Sequence, residues 1–463
     1  MNARALPARS NLHLFQSKLG KHLFVPDGSR VYDLDETLAQ KLESLFDSRG
    51  ANEIWDLLGL EGRPTHTWLD ERPSPPPPLR SISLNIAQAC NMACSYCYAD
   101  EGRFGGKARM MPPDIARLSV DRLITESEPG ASLLVGFMGG EPLLNRNLLR
   151  EIVPYATERG NATGHPVRFS ITTNATLIIS SDAQLFSAYP FAVQISIDGS
   201  RMTNDRQRPM RDGGGSYCHI LRGLELLLRG RPRQLSARMT VTHDSPELLP
   251  ALQHLIGLGF DDVGFAPVLV ARAGHALDES DFGDLLREMI ACGRETLAHL
   301  KAGRSFPFTN FLSAMEQIHR GTHRPYPCGA GAAYLSASAE GGLYACHRLV
   351  DDPAFAMGNV NTGSDLDART KHLSTSHVDQ MDPCRTCWAR YLCGGGCYHE
   401  VARRGRPGCD FIRGWLNFCL GAYAELSSLW PHGLPIPFAT SIFPDDPLLS
   451  PDYLPRDMQE NMR

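Results

Sequence analysis

Ser81-Ile82-Ser83-Leu84-Asn85-Ile86-Ala87 runs, two residues later, into Cys90-Asn91-Met92-Ala93-Cys94-Ser95-Tyr96-Cys97, and the reading of this stretch decides the fold. The first part alternates small polar with large apolar residues, the period of a strand. The second places three thiols within eight residues, which lets them wrap one corner of a cube and leaves one position without a protein ligand. A structural zinc site wants a fourth ligand, and no Cys or His follows until His165. Three ligands and an open position fit an iron–sulfur cluster that binds something else at its fourth iron.

Working outward, strand-like runs recur from 81 to about 320 at Leu133–Met138, Val167–Thr173, Ala192–Ile197, Ala237–Thr242 and Val263–Val268. Helical patterns lie between them, among them Pro113–Thr125, Tyr217–Leu228 and Glu247–Leu258. Six such βα units predict a parallel sheet, either an open doubly wound one or a partial barrel. In barrel-like α/β folds the chemistry sits at the C-terminal strand ends. There the sequence has Gly139-Gly140-Glu141-Pro142, Thr172-Thr173-Asn174 and Ser196-Ile197-Asp198-Gly199, with Arg208 twelve residues after Ser196. The glycines let backbone come close to a ligand, and a carboxylate can receive an ammonium group. Gly-Gly and Asp-Gly are also common turns; their recurrence at consecutive strand ends is what favours a site.

Length and charge bound the rest. The 463 residues suggest about three domains, and 42% hydrophobic against 21% charged residues is the balance of a globular protein. With 46 basic and 51 acidic side chains the net charge is −5, so nucleic acid and anionic membranes are not expected partners. Neither a signal-peptide core nor a stretch of about 18 apolar residues is present, and a cytoplasmic location is expected. Thirteen cysteines, ten of them in local groups, then argue for metal rather than a disulfide framework.

CxxxCxxC with an aromatic before the last Cys resembles the radical S-adenosylmethionine (SAM) enzymes, over about residues 81–320. The resemblance implies that Cys90, Cys94 and Cys97 hold a 4Fe–4S cluster whose open iron chelates SAM. It further implies that Gly139, Gly140 and Glu141 contact the SAM amino group. Ser196 would then meet the ribose, Arg208 the carboxylate, and Tyr96 would lie beside the adenine.

A second field comprises Cys328, Cys346, Cys384-x2-Cys387-x5-Cys393-x3-Cys397 and Cys409. CxxC pairs also signal zinc ribbons, but seven candidates are one short of two four-ligand sites. The order resembles the SPASM extension of radical SAM enzymes, which carries two auxiliary 4Fe–4S clusters, three clusters in all. By that pattern Cys384, Cys387, Cys393 and Cys409 hold one, and Cys328, Cys346 and Cys397 the other. The chain departs from the sulfatase-maturing branch in two places. Tyr334 stands where that branch has a further Cys, and His347 follows Cys346 where it has an Asp base, so a formylglycine-forming role is not expected. The missing ligand suggests an iron open to solvent or to a substrate thiolate. Cys218, Cys292 and Cys419 are expected in the core.

At the N-terminus, His22-Leu23-Phe24-Val25, the turn Pro26-Asp27-Gly28 and Val31-Tyr32-Asp33-Leu34 predict a hairpin. A helix with Leu38, Leu42, Leu45 and Phe46 on one face follows. This pattern resembles the small PqqD-like domain that holds leader peptides, though it would also suit a plain cap on the barrel. The expected organisation is thus a PqqD-like module at 12–72, a partial (β/α)6 TIM-like barrel at 80–320, a SPASM domain at 325–425 and an irregular tail at 431–463, with a stiff Pro73–Pro78 linker. Short motifs such as Cys328-Gly329-Ala330-Gly331 and Met357-Gly358-Asn359 resemble the thioether-forming maturases. Cys409-Asp410-Phe411-Ile412-Arg413-Gly414-Trp415 most resembles the branch that matures the small subunit of quinohemoprotein amine dehydrogenase. The implied partners are a Cys-containing peptide or small protein subunit and a flavodoxin or ferredoxin as electron donor. The rival readings are carbon–carbon crosslinking or epimerisation of a peptide, and a zinc-stabilised scaffold that binds a client protein.

Overall fold

The computed structural model describes residues 12–26, 28–48, 75–245, 247–271 and 274–430. The tail at 431–463, the end of the N-terminal module at 49–72 and the first linker residues Pro73 and Ser74 lie outside the described residues.

The expected hairpin is formed by β2 (Gly20–Val25) and β3 (Arg30–Asp33), antiparallel with Val25 opposite Arg30. A strand not foreseen, β1 (His13–Ser17), pairs antiparallel on the other side of β2. Five residues interrupted by His and Gln carry too little alternation to announce themselves; β2 supplies the pairing. The helix Glu36–Ser48 closes this sheet through a small core of Leu12, Leu23 and Leu42. The module docks on the third region: the His13 ring stacks on Trp388 with centroids 3.7 Å apart and bonds Asn417 at 2.8 Å.

The central sheet contains β4 (Ser81–Gln88), β6 (Leu133–Gly139), β7 (Val167–Thr173), β8 (Phe191–Ser196), β9 (Gln234–Val241) and β10 (Asp262–Pro267), all parallel; the short β5 (Arg109–Met110) pairs antiparallel with the end of β4. The spatial order β4-β6-β7-β8-β9-β10 follows the chain without reversal. A doubly wound sheet needs a reversal point, so this is the partial barrel. Five of the six strand bounds differ from expectation by one to three residues: β8 and β10 each lie one residue earlier than Ala192–Ile197 and Val263–Val268, β9 begins three residues before Ala237 and ends one before Thr242, and β4 and β6 each run one residue further.

The two faces of the sheet differ in chemistry. Outward residues, including Leu84, Ile86, Val135, Phe137, Phe169, Phe191, Ile195, Leu235 and Phe265, are at most 1% exposed. Phe137, Phe169 and Phe191 stack across three strands with centroids 6.2 and 5.2 Å apart, and losing one such ring would cost about 3–5 kcal/mol. Apart from Leu134 and Met138, the inward positions are mostly polar or small: Ser83 is level with Gly136, Ser170 and Ala192, and Ser196 with Arg238 and Gly264. The lumen is therefore built to receive something polar, while the helices hold the outer face.

The Cys-rich region does not stand apart. Its first strand, β11 (Tyr334–Ala337), adds parallel to β4, and β12 (Gly342–Tyr344), β13 (Ala356–Asn359) and β14 (Gly363–Ser364) continue the same sheet antiparallel. The region ends in the helix Cys409–Leu429, four residues beyond the expected boundary. Cys292 and Cys419 are fully buried as expected. Cys218 is exposed: in the helix Tyr217–Arg229 the core face is Tyr217, Ile220, Leu224 and Leu227, and position 218 falls on the far side. Among the described residues no helix is long and apolar enough to cross a membrane.

Candidate functional site

The loop after β4 carries Cys90, Cys94 and Cys97 at the C-terminal end of the sheet, and backbone bonds fix it there. Ala93 N donates to Pro209 O at 3.0 Å and Ser95 N to Gln207 O at 3.1 Å, so the segment bearing Arg208 is laced to the thiol loop. Met92 N and, at longer range, Asn174 Nδ2 point at the Cys90 sulfur (3.4 and 3.9 Å). Asn174 was quoted in the sequence only as a strand end; here it also bonds Asn91 at 2.9 Å. Burial pushes the Cys90 thiol up to about 12, with the Glu141 carboxylate adding to it, and burial pushes Cys94 up to about 11 against the nearby Arg208 guanidinium. Cys90 feels the charge of Cys94 and Cys97, and Cys94 that of Cys97, which places the three together.

Gly139 and Gly140 serve packing. A Cβ at Gly139 would lie 2.3 Å from Ala87 O, and one at Gly140 would lie 2.2 Å from Ala89 O. The glycines thus let the loop close onto the backbone leading to Cys90, an observed role distinct from the ligand approach expected of them. Glu141 is fully buried, and its carboxylate accepts from Leu143 N (3.0 Å), Thr173 Oγ1 (2.7 Å) and Asn174 N (2.8 Å). Burial raises its pKa while these donors hold it down. It ties the end of β6 to the end of β7, and carries negative charge beside the thiols.

Tyr96 and Arg208 meet at a residue that had no expected role. Tyr96 Oη donates to Asp198 Oδ2 at 2.6 Å, Arg208 Nη1 donates to Tyr96 Oη, and Asp198 Oδ1 accepts from Thr240 N at 3.0 Å. All three side chains are buried, and Arg208 Nε has no partner among the described residues. Asp198 was readable as an acid at a strand end in Ser196-Ile197-Asp198-Gly199, but an Asp-Gly turn looks the same. Ser196 ends β8 facing the lumen, level with Arg238.

In the second field the structure brings together the four thiols expected to form one set. Cys384 feels the charge of Cys393, Cys409 and Cys387; Cys393 that of Cys387 and Cys409. Burial pushes Cys384 up to about 11, and Arg406 opposes it; Arg324 acts likewise on Cys393 and Arg413 on Cys409. Cys409 is the first residue of the helix Cys409–Leu429, whereas Cys419 is sealed in that helix's core face.

Cys328, Cys346 and Cys397 gather around Tyr398, whose ionisation all three oppose. Tyr334 is not pointed at solvent: its hydroxyl bonds Ser83 Oγ at 2.7 Å and His347 Nδ1 at 3.0 Å. Burial drives the His347 pKa down to about 3, so the ring is neutral. Tyr98, one residue past the first thiol loop, lies between the two fields, within electrostatic reach of Cys97, Cys346 and Cys397 and under the Arg348 guanidinium at 5.0 Å. Nothing but its aromatic character marked it in the sequence.

These groupings fit iron–sulfur clusters better than single ions. Among the described residues no three His, Cys, Asp or Glu side chains converge on one ion position, the arrangement a mononuclear zinc requires. A four-iron cluster holds its thiolates apart, and bound iron keeps them deprotonated at a pH where burial alone would protonate them. The arginines beside each set (Arg208; Arg348; Arg324, Arg406 and Arg413) suit a net negative cluster.

Comparison with known proteins agrees. Residues 84–255 match the sequence profile of the Radical SAM superfamily. A cysteine-type anaerobic sulfatase-maturating enzyme of Clostridium novyi is 30% identical over 338 residues, covering 69% of this chain and 88% of that protein. A serine-type anaerobic sulfatase-maturating enzyme of Klebsiella aerogenes is 27% identical over 346 residues, covering 71% and 82%. Among solved structures, native anSMEcpe with bound AdoMet and Cp18Cys peptide superposes with TM-score 0.64 at 18% identity, covering 76% of this chain and 100% of that one. SuiB of Streptococcus suis bound to precursor peptide SuiA gives 0.51 at 14%, covering 88% and 98%. At those identities the structures show a shared fold.

Proposed function

The chain belongs to the radical SAM superfamily, with the Cys-rich SPASM-type extension of its maturases, and from this we propose that it closes intramolecular thioethers between a substrate Cys and a carbon of a peptide or small protein subunit, of the quinohemoprotein amine dehydrogenase type. It is a radical SAM enzyme that modifies peptides or proteins, using SAM and three 4Fe–4S clusters. When bound, these supply a 5′-deoxyadenosyl radical that removes one peptide hydrogen atom, and an acceptor for the electron released as carbon joins sulfur while the thiol proton leaves.

The chain's own residues do the positioning. In this reading Cys90, Cys94 and Cys97 hold the first cluster, with the Arg208 guanidinium beside it for the SAM carboxylate, Tyr96 beside the adenine and Ser196 at the ribose. The Gly139-Gly140-Glu141 loop presents backbone and negative charge to the amino group. Cys384, Cys387, Cys393 and Cys409 hold one auxiliary cluster. Cys328, Cys346 and Cys397 hold the other, its fourth position left for a substrate thiolate. The observation that carries the proposal is Tyr334: a further Cys there would complete that set, but the phenol is turned to Ser83 and His347 instead. At the other end of the chain, β3 is an edge strand with exposed side chains, where an extended peptide can add as a strand. A flavodoxin or ferredoxin as reductant and a cytoplasmic location belong to the same reading.

The test is co-expression with a Cys-containing peptide encoded beside the enzyme. A thioether removes two hydrogens per crosslink and one alkylatable thiol. Mass loss with every Cys still alkylating would instead mean carbon–carbon bonding or oxidation of a serine. Exchange of a Cys sulfur for oxygen together with loss of two hydrogens would mean formylglycine.

A further inference from the structure

Arg238 of β9 faces the lumen, level with Ser196 of β8 on one side and Gly264 of β10 on the other. Gly264 gives it room, since a Cβ there would sit 3.0 Å from Arg238 Nη1. Among the described residues its guanidinium makes no hydrogen bond or ion pair. The two acids close enough to act on it are engaged elsewhere. Asp262 accepts from Gln234 Nε2 (2.9 Å), Ser236 Oγ (2.7 Å) and Thr309 Oγ1 (3.0 Å). Glu400 accepts from Arg348 at 3.0 Å. Arg348, balanced by Glu400 and by the Tyr98 ring, repels Arg238; burial first and this repulsion second bring the Arg238 pKa down to about 10.

Arg238 is half-buried in the lumen; a cation largely withdrawn from water without a partner is costly, and a guanidinium is shaped to take a carboxylate with two parallel bonds. We propose that Arg238 binds a carboxylate of the substrate, an Asp or Glu side chain next to the residue being modified, and so sets which peptide position lies against SAM. This deepens the peptide-modifying reading and rests on it. SAM also carries a carboxylate, but Arg208, laced to the thiol loop, is placed for that one.

The probes are acetyl-Asp-Cys-amide and acetyl-Asn-Cys-amide, titrated into SAM-loaded, cluster-reconstituted enzyme and followed by ligand-observed NMR. The acid should bind about tenfold or more tightly than the amide, the worth of one charge-assisted contact. R238Q should erase that preference, R238K keep part of it, and both should leave the SAM dissociation constant unchanged. Equal binding of acid and amide by the unmodified enzyme, or binding of neither, overturns the proposal without need of any variant. A loss of SAM affinity in R238Q with the acid preference intact would assign the guanidinium to SAM and also overturn it. The co-expression product is judged independently, so failure here leaves the thioether reading to stand or fall alone.

Discussion

The two thiol fields solve the same problem in opposite ways. Cys90, Cys94 and Cys97 come from one eight-residue loop, which the backbone bonds of Ala93 and Ser95 lace to the Arg208 segment. The later seven come from Cys328 to Cys409, off a strand end, short turns and the start of a long helix. A local loop can keep three ligands rigid and leave the fourth side free for a small molecule. A dispersed set must wait for the sheet to extend through β11 and for the last helix to dock, and can then enclose four ligands completely. Position follows: the local set sits at the mouth of a polar lumen, and Tyr98 stands between it and the incomplete later set.

This contrast can be broken first at Cys409. C409A should lose one cluster's worth of iron, while C419A should keep all of it and lose only packing, checked by iron and sulfide analysis. Equal iron loss would mean that the helix Cys409–Leu429 is wrongly aligned with the site. Next in size is Asp198. D198A strips the buried Tyr96–Arg208 pair of its carboxylate and should cost about 3–5 kcal/mol in denaturant unfolding, the range for a buried charge left unbalanced; a change below 1 kcal/mol, about the worth of a surface pair, would show that water already reaches Arg208. The smallest effect belongs to Glu141. E141Q turns an amide N–H2 toward donors that now point at a carboxylate and removes the negative charge beside Cys90. It should weaken SAM binding about tenfold to a hundredfold and stability by about 1.5–3 kcal/mol. Lost stability with unchanged SAM affinity would make Glu141 a pin between strands and nothing more.

The local field was readable because its chemistry is contiguous in sequence: a strand period, three thiols and Gly-Gly-Glu at the next strand end. The six strands were found within a few residues for the same reason, each carrying its own period. What stayed hidden depends on partners far along the chain. β1 forms because β2 offers an edge, β11 joins β4 across some 250 residues, and Cys218 differs from Cys292 only in which side of its helix meets the core. Asp198 and Arg238 look like a turn residue and a strand charge until the sheet closes around them. The reason for the glycines at 139 and 140 also needed the fold, since the atoms they avoid belong to Ala87 and Ala89.

The most direct test of a division between a SAM-binding field and an auxiliary field is 5′-deoxyadenosine formation by the triple variant C90A/C94A/C97A, reconstituted and reduced beside C384A/C387A/C393A. The first should form no 5′-deoxyadenosine while keeping its auxiliary iron; the second should still cleave SAM but yield no crosslinked product. Undiminished 5′-deoxyadenosine from the first variant would contradict the assignment of that loop, and with it the site built around it.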